Sequence, residues 1–98
     1  MAQDGAMFLL EYDLVTDYIE RRAEFRESHL ALATEAAQRG ELVLGGALAD
    51  PPDRALLVWR VADRAIIEAF VRGDPYVING LVRSWSIRPW NVVVGTAS

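Results

Sequence analysis

What most constrains the fold of this chain is the order in which two periodicities follow one another. Apolar residues at every second position mark half-buried strands, whereas a recurrence near 3.6 marks helices. "MFLLEYD" (7–13) alternates, setting Phe8, Leu10 and Tyr12 against Met7, Leu9 and Glu11, and reads as a strand. Asp17 followed by Glu20 forms a candidate capping box, opening a helix that runs to about Arg39. Its apolar stripe is Ile19, Ala23, Leu30, Ala33 and Ala37, broadened by Phe25 and Ala36; Gly40 ends it where a positive φ is wanted. "ELVLGGALA" (41–49) is a second strand whose Gly45–Gly46 pair suggests a bulge or a close approach to the backbone. "DPPD" (50–53) is turn chemistry, and "RALLVWRV" (54–61) is a third strand. Asp63 then caps a short helix with Ile66, Ile67, Phe70 and Val71 inward and Gly73 at its end. "DPYV" (74–77) reads as a rigid turn. "LVRSWSIRPW" (81–90) alternates Arg83, Trp85 and Ile87 against Ser84, Ser86 and Arg88, the pattern of a strand with one packed face. "VVV" (92–94) extends that strand or adds a fifth, and residues 1–6 read as a loose end.

The resulting order, β-α-β-β-α-β, is the ferredoxin-like plan of the α+β class. It predicts a four-stranded antiparallel sheet with two helices on one face, in a single domain spanning residues 1–98. A domain of this length buries only about 60 to 65% of its unfolded surface, yet 52% of its residues are hydrophobic. That excess predicts a second subunit over the free sheet face, two sheets closing into a dimeric α+β barrel. The expected assembly is a homodimer or a higher homo-oligomer built from it.

Ten basic against fourteen acidic residues leave a net charge of −4, with no basic block. Nucleic acid or an anionic membrane would want a concentrated positive face, so neither is an expected partner. An RNA-binding domain of this plan would also interleave basic and aromatic residues on its open sheet, which "RALLVWRV" and "MFLLEYD" do not. With no cysteine and one histidine, disulfides are excluded and an all-protein metal site is not expected. "MAQDGAMFLLEYD" lacks the basic flank and long apolar run of a signal peptide, and no stretch is long enough to span a bilayer. The expected location is the cytoplasm.

The lone histidine, His29, has Arg26 one helical turn before it and Arg22 two turns before it, so the three can share one strip. Imidazole exchanges a proton near neutral pH, and guanidinium groups grip carboxylates through paired hydrogen bonds. Asp74 opens "DPYV" after the second helix, where this topology brings it within reach of His29. A carboxylate on one imidazole nitrogen fixes the tautomer and stabilises the imidazolium, an arrangement suited to acid–base work. Each residue alone also has a plainer reading. His29 can be a half-exposed surface histidine, and Asp74 a turn opener bonded to nearby backbone. Tyr76, Trp85 and Trp90 can wall a pocket for a flat ligand or simply pack a core or a dimer. Ser84 can donate to a ligand or be solvated. Gly45–Gly46 lacks the helix start that phosphate loops use.

Four short motifs occur in order: Arg-x-x-His-Leu (26–30), Gly-Gly-Ala-Leu (45–48), Asp-Pro-Tyr (74–76) and Ile-x-Pro-Trp (87–90). Together they resemble the YCII-related family over about residues 7 to 93. The resemblance implies a dimeric α+β barrel with a site built around a histidine and an aspartate, which fall on His29 and Asp74. It also implies a chemistry. Characterised relatives eliminate hydrogen chloride from small chlorinated or unsaturated carboxylic acids of aromatic breakdown, and related muconolactone isomerases shift a proton on a similar barrel. The family often has proline after the Gly-Gly pair. Here Ala47 stands there, which puts the shape of the second-strand wall in question.

The expectation is a cofactor-free lyase or isomerase for a small organic acid. His29 would serve as base and then acid, Asp74 would orient it, and Arg22 or Arg26 would grip a carboxylate. Tyr76, Ser84 and Trp85 would complete the pocket. The competing class is a ligand-binding or accessory domain without catalysis, since a fold does not dictate a function. A haem-binding barrel with His29 on the iron is a third reading.

Overall fold

The computed structural model describes residues 5–95. One sheet is built from β1 (Ala6–Leu14), β2 (Leu42–Ala47), β3 (Arg54–Val61) and β4 (Val82–Pro89). The strands stand in the order β2-β3-β1-β4, and each neighbouring pair is antiparallel. A helical arm of α1 (Tyr18–Arg22) and α2 (Arg26–Gln38) joins β1 to β2. A second arm of α3 (Ala65–Gly73) and α4 (Pro75–Ile78) joins β3 to β4. This is the expected α+β, βαββαβ architecture. The expected loose end falls largely outside the described residues, and Ala6 already belongs to β1.

Side chains alternate along each strand, and directly paired residues point to the same face. The register therefore sorts the sheet. Leu10, Tyr12 and Leu14 of β1 share the inner face with Ala55 and Leu57 of β3 and Ile87 of β4, all of them buried. Trp59 joins them and meets Phe70 of α3 edge-on at 5.0 Å between ring centroids. The outer face pairs Leu9 with Val58 and Leu44 with Val58, beside Leu56 and the Arg54–Glu11 ion pair at 2.8 Å. Leu44 there is 63% exposed.

The single helix expected over 17–39 is two helices. Residues 23–25 form a turn in which the Phe25 N–H bonds to the Arg22 carbonyl, and α2 starts afresh beyond it. Asp17 forms no capping box; its carboxylate lies 3.9 Å from Arg21 instead. The inward face is also rotated from the expected stripe. Tyr18, Phe25, Leu32 and Ala36 turn toward the core while Ile19, Ala23 and Ala37 are exposed. Large aromatic rings bury far more area than alanines, so Tyr18 and Phe25 decide which face goes in. Gly40 ends the arm as predicted, at φ +80.

The second arm follows its prediction more closely. Asp63 accepts from the Ala65 N–H at 2.9 Å, and Ile67, Phe70 and Val71 are buried. "DPYV", read as a turn, is the one-turn helix α4. The suggested bulge in β2 falls between Leu42 and Leu44, whereas Gly45 is the close approach: a Cβ there would stand 3.1 Å from Leu57 Cγ. Residues 92–94 neither extend β4 nor form a strand. The β1–β4 pairing ends at Pro89, which has no N–H to donate, with one last bond from the Trp90 N–H to the Met7 carbonyl. Among the described residues no helix is long and apolar enough to cross a membrane.

Candidate active site

Asp74 is placed by the proline that follows it. A residue before proline is pushed out of the helical region, and Asp74 is extended at φ −75, ψ 119, ending α3. Pro75 then takes the first position of α4, where its missing N–H costs nothing. Asp74 becomes the cap of that helix, its Oδ1 accepting from the Tyr76 N–H at 3.0 Å. The same oxygen lies 2.8 Å from His29 Nδ1. The other, Oδ2, accepts from the Tyr12 hydroxyl at 2.7 Å. Asp74 is 0% exposed. The plain reading of Asp74 as a backbone-bonded opener and the reading that pairs it with His29 therefore both hold geometrically.

The network orders the protons. Burial foremost, then the charge and hydrogen bond of Asp74, push the Tyr12 phenol far above its ordinary range, so it keeps its proton and donates. The Tyr76 N–H can only donate. Asp74 receives donors at both oxygens and is placed to accept from His29 Nδ1 as well, and a neutral imidazole bonded in that way has its lone pair on Nε2. The imidazole is held on two sides: by Asp74 at one edge, and by Tyr76, stacked at 3.8 Å and 9° from parallel, on one face. Tyr18 in turn meets Tyr76 edge-on at 5.7 Å. The His29 side chain is 14% exposed.

That exposure opens onto a cavity of about 210 Å³ between the first helical arm and the sheet. Arg22, Arg26, His29 and Tyr76 line it from the helical side, and Tyr12 and the Gly45–Gly46 backbone from the sheet. Arg22 lies 5.4 Å above the Tyr18 ring, and neither Arg22 nor Arg26 makes an ion pair among the described residues. The Tyr76 hydroxyl is buried without a hydrogen-bond partner among the described residues. Burial and the neighbouring Tyr18 raise its pKa, against the opposing pull of Arg26 and Arg22. Leu30, expected in the core stripe, is half-exposed because it faces this cavity.

The structure thus gathers Arg22, Arg26, His29, Asp74 and Tyr76 in one place. Ser84 and Trp85 are elsewhere. The cavity lies over β1, β3 and β2, while β4 is the edge strand on the opposite side. Ser84 pairs with Asp13 on the outer face, and Trp85 is 41% exposed at the sheet edge. Trp90 does not line the cavity either. Tyr12 is the residue that sequence reasoning missed, having placed it only in the β1 pattern. A phenol on the buried face of a central strand needs a partner for its hydroxyl, and that was the available signal. Ala47 lines the cavity and pairs with Ala55, continuing the β2–β3 ladder. Among the described residues no group of three or more His, Cys, Asp or Glu side chains could hold a metal ion.

Comparison with known proteins adds to this geometry. A family model for the YCII-related domain matches residues 6–91. No curated protein matches the chain. A solved structure of 5-chloro-2-hydroxyhydroquinone dehydrochlorinase from Burkholderia phenoliruptrix, in complex with 2,5-dihydroxybenzoquinone, is similar over 87% of this chain and 93% of its own. The TM-score is 0.73 at 17% identity. Two NIPSNAP family proteins from Agrobacterium tumefaciens, one described as of unknown function, match at a TM-score of 0.59 with 16% and 14% identity. They cover 92% and 99% of this chain and 89% and 95% of their own. At these identities the likeness is one of fold.

Proposed function

The chain belongs to the YCII-related domain family, and on that premise we propose that it is an enzyme moving a proton within a small organic acid by means of His29 and Asp74. One observation carries the reading. His29 is bonded through Nδ1 to a fully buried carboxylate and lines a cavity that is also lined by Arg22 and Arg26, neither of which makes an ion pair among the described residues. A base, its orienting partner and a cationic grip for the substrate lie together, which is the constellation for proton abstraction next to a carboxylate or carbonyl.

The steps follow from the bonding. Nε2 takes a proton from a carbon made acidic by conjugation, and the electron pair of that C–H bond moves into the substrate. Negative charge develops toward Arg22 and Arg26, where fixed cations stabilise it. Asp74 accepts the Nδ1 hydrogen bond and balances the imidazolium. In an isomerisation the imidazolium returns its proton to a different carbon. In an elimination a carbon–halogen bond breaks as the new double bond forms, halide leaves, and the proton passes to water. The substrate class is a small unsaturated or halogenated carboxylic acid; the dehydrochlorinase of the same fold supports elimination in particular. The outer apolar face around Leu9, Leu44, Leu56 and Val58 supports a homodimer as the working form.

Small conjugated and chlorinated acids incubated with the protein in deuterium oxide test this, read as solvent deuterium entering the carbon skeleton or as halide released. His29→Ala is expected to lower the rate on any acid that reacts by roughly 100- to 10,000-fold while keeping the fold. A folded His29→Ala variant with undiminished rate would overturn the role.

A further inference from the structure

We propose that Tyr12 is a positioning residue that sets how tightly His29 holds its proton, acting through Asp74. Three donors converge on Asp74, and they are not equivalent. His29 Nδ1 and the Tyr76 N–H share Oδ1, whereas the Tyr12 hydroxyl alone serves Oδ2. The Tyr12 bond is the shortest of the three at 2.7 Å, and it lies in the buried core, where little solvent screens it. A phenol there withdraws electron density from the carboxylate and stabilises its anion, which weakens the pull of Oδ1 on the His29 proton. The chain is built to place it. Tyr12 stands on the central strand β1 directly opposite Ala55, whose small side chain leaves room for the ring across the strand pair.

The groups facing His29 come from several elements. Besides Tyr12, α1 contributes Tyr18 and Arg22, α2 contributes Arg26, and α4 contributes Tyr76; the β2 and β3 wall supplies only Leu42, Gly45, Gly46, Ala47, Ala55 and Leu57, none titratable. Asp74 is the hydrogen-bond partner of the imidazole, and Tyr12 is the side chain that bonds to Asp74 from the far side. If the proton-transfer reading of His29 holds, Tyr12 adjusts the pH at which the base becomes available. The effect on titration itself needs no substrate, so the two claims fail separately.

The experiment follows the single imidazole by NMR across pH in the intact protein, for the wild type, for Tyr12→Phe and with 3-fluorotyrosine placed at position 12. Tyr12→Phe keeps the ring and removes the donor, so the His29 midpoint is expected to rise by about 0.5 or more on the pH scale. Fluorination makes the phenol a stronger donor without removing it, so the midpoint is expected to fall. A merely structural tyrosine gives no such pair of opposite movements. Should Tyr12→Phe fail to fold, the fluorinated protein decides alone. An unchanged midpoint, or movement in the reverse sense, in a folded protein overturns the proposal, whatever the activity of His29→Ala proves to be.

Discussion

At the scale of the residue, the chemistry of the site rests on which groups keep their protons. Tyr12 and Tyr76 both have their pKa raised above 10.0, burial being the first cause in each. A phenol that stays neutral in the fold but ionises in the unfolded chain makes the unfolded state lose protons first as pH climbs. Its stabilising contribution is therefore complete below pH 10.0 and is lost as pH rises above it toward the folded value. All ten basic side chains are arginine and there is no lysine, so tyrosine ionisation dominates the window just above 10.0. The unfolding free energy from urea titrations followed upward from about pH 9 should fall beyond 10, by at most about 1.4 kcal/mol per pH unit for each such tyrosine. Tyr12→Phe should show a shallower fall, with Tyr76 supplying the remainder. An equally steep fall in that variant would place the ionisation elsewhere.

At the scale of the element, strands and their order were legible because a period of two survives wherever one face is buried. β1, β3 and β4 stand within a residue or so of where alternation put them. The first helical arm was less legible, and the reason is physical. The apolar positions between 17 and 39 satisfy more than one stripe, and only packing against the sheet selects the one carrying Tyr18 and Phe25. The tight turn at 23–25 has no glycine or proline to announce it. Arg22, Arg26 and His29 nevertheless share one strip, because the turn between α1 and α2 keeps them on the same side. Asp74 and Tyr76 were legible through proline, which forces both the end of α3 and the start of α4. Trp85 was misplaced because alternation gives the face of a strand but not its position in the sheet, and Ser84 because it pairs with Asp13 on the outer face, away from the cavity. Only the order β2-β3-β1-β4 shows that β4 stands on the side away from the cavity. Tyr12 was hidden for the opposite reason: its strand pattern explained it fully until its hydroxyl was asked for a partner.

At the scale of the whole molecule, the two faces of the sheet divide the work. The inner face carries the core and the cavity, and the outer face carries Leu9, Leu44, Leu56 and Val58 around the central strands. Apolar side chains clustered on an open antiparallel face are what the proposed homodimer would cover. A two-fold dimer would set each patch against its own copy, so a charge placed there is repeated across the interface and repelled. Leu56→Asp is therefore expected to convert a dimer into a monomer in sedimentation; a wild type that is monomeric at high concentration would remove the barrel from the account. The site itself makes a sharper demand. The chain has one histidine, so its nitrogen spectrum contains one imidazole. Above its titration, long-range nitrogen–proton correlation should find Nδ1 protonated and Nε2 bare, the tautomer that the Asp74 bond imposes, and Asp74→Asn should disturb that assignment. An imidazole with its proton on Nε2, indifferent to residue 74, would contradict the pairing from which the proposed function is built.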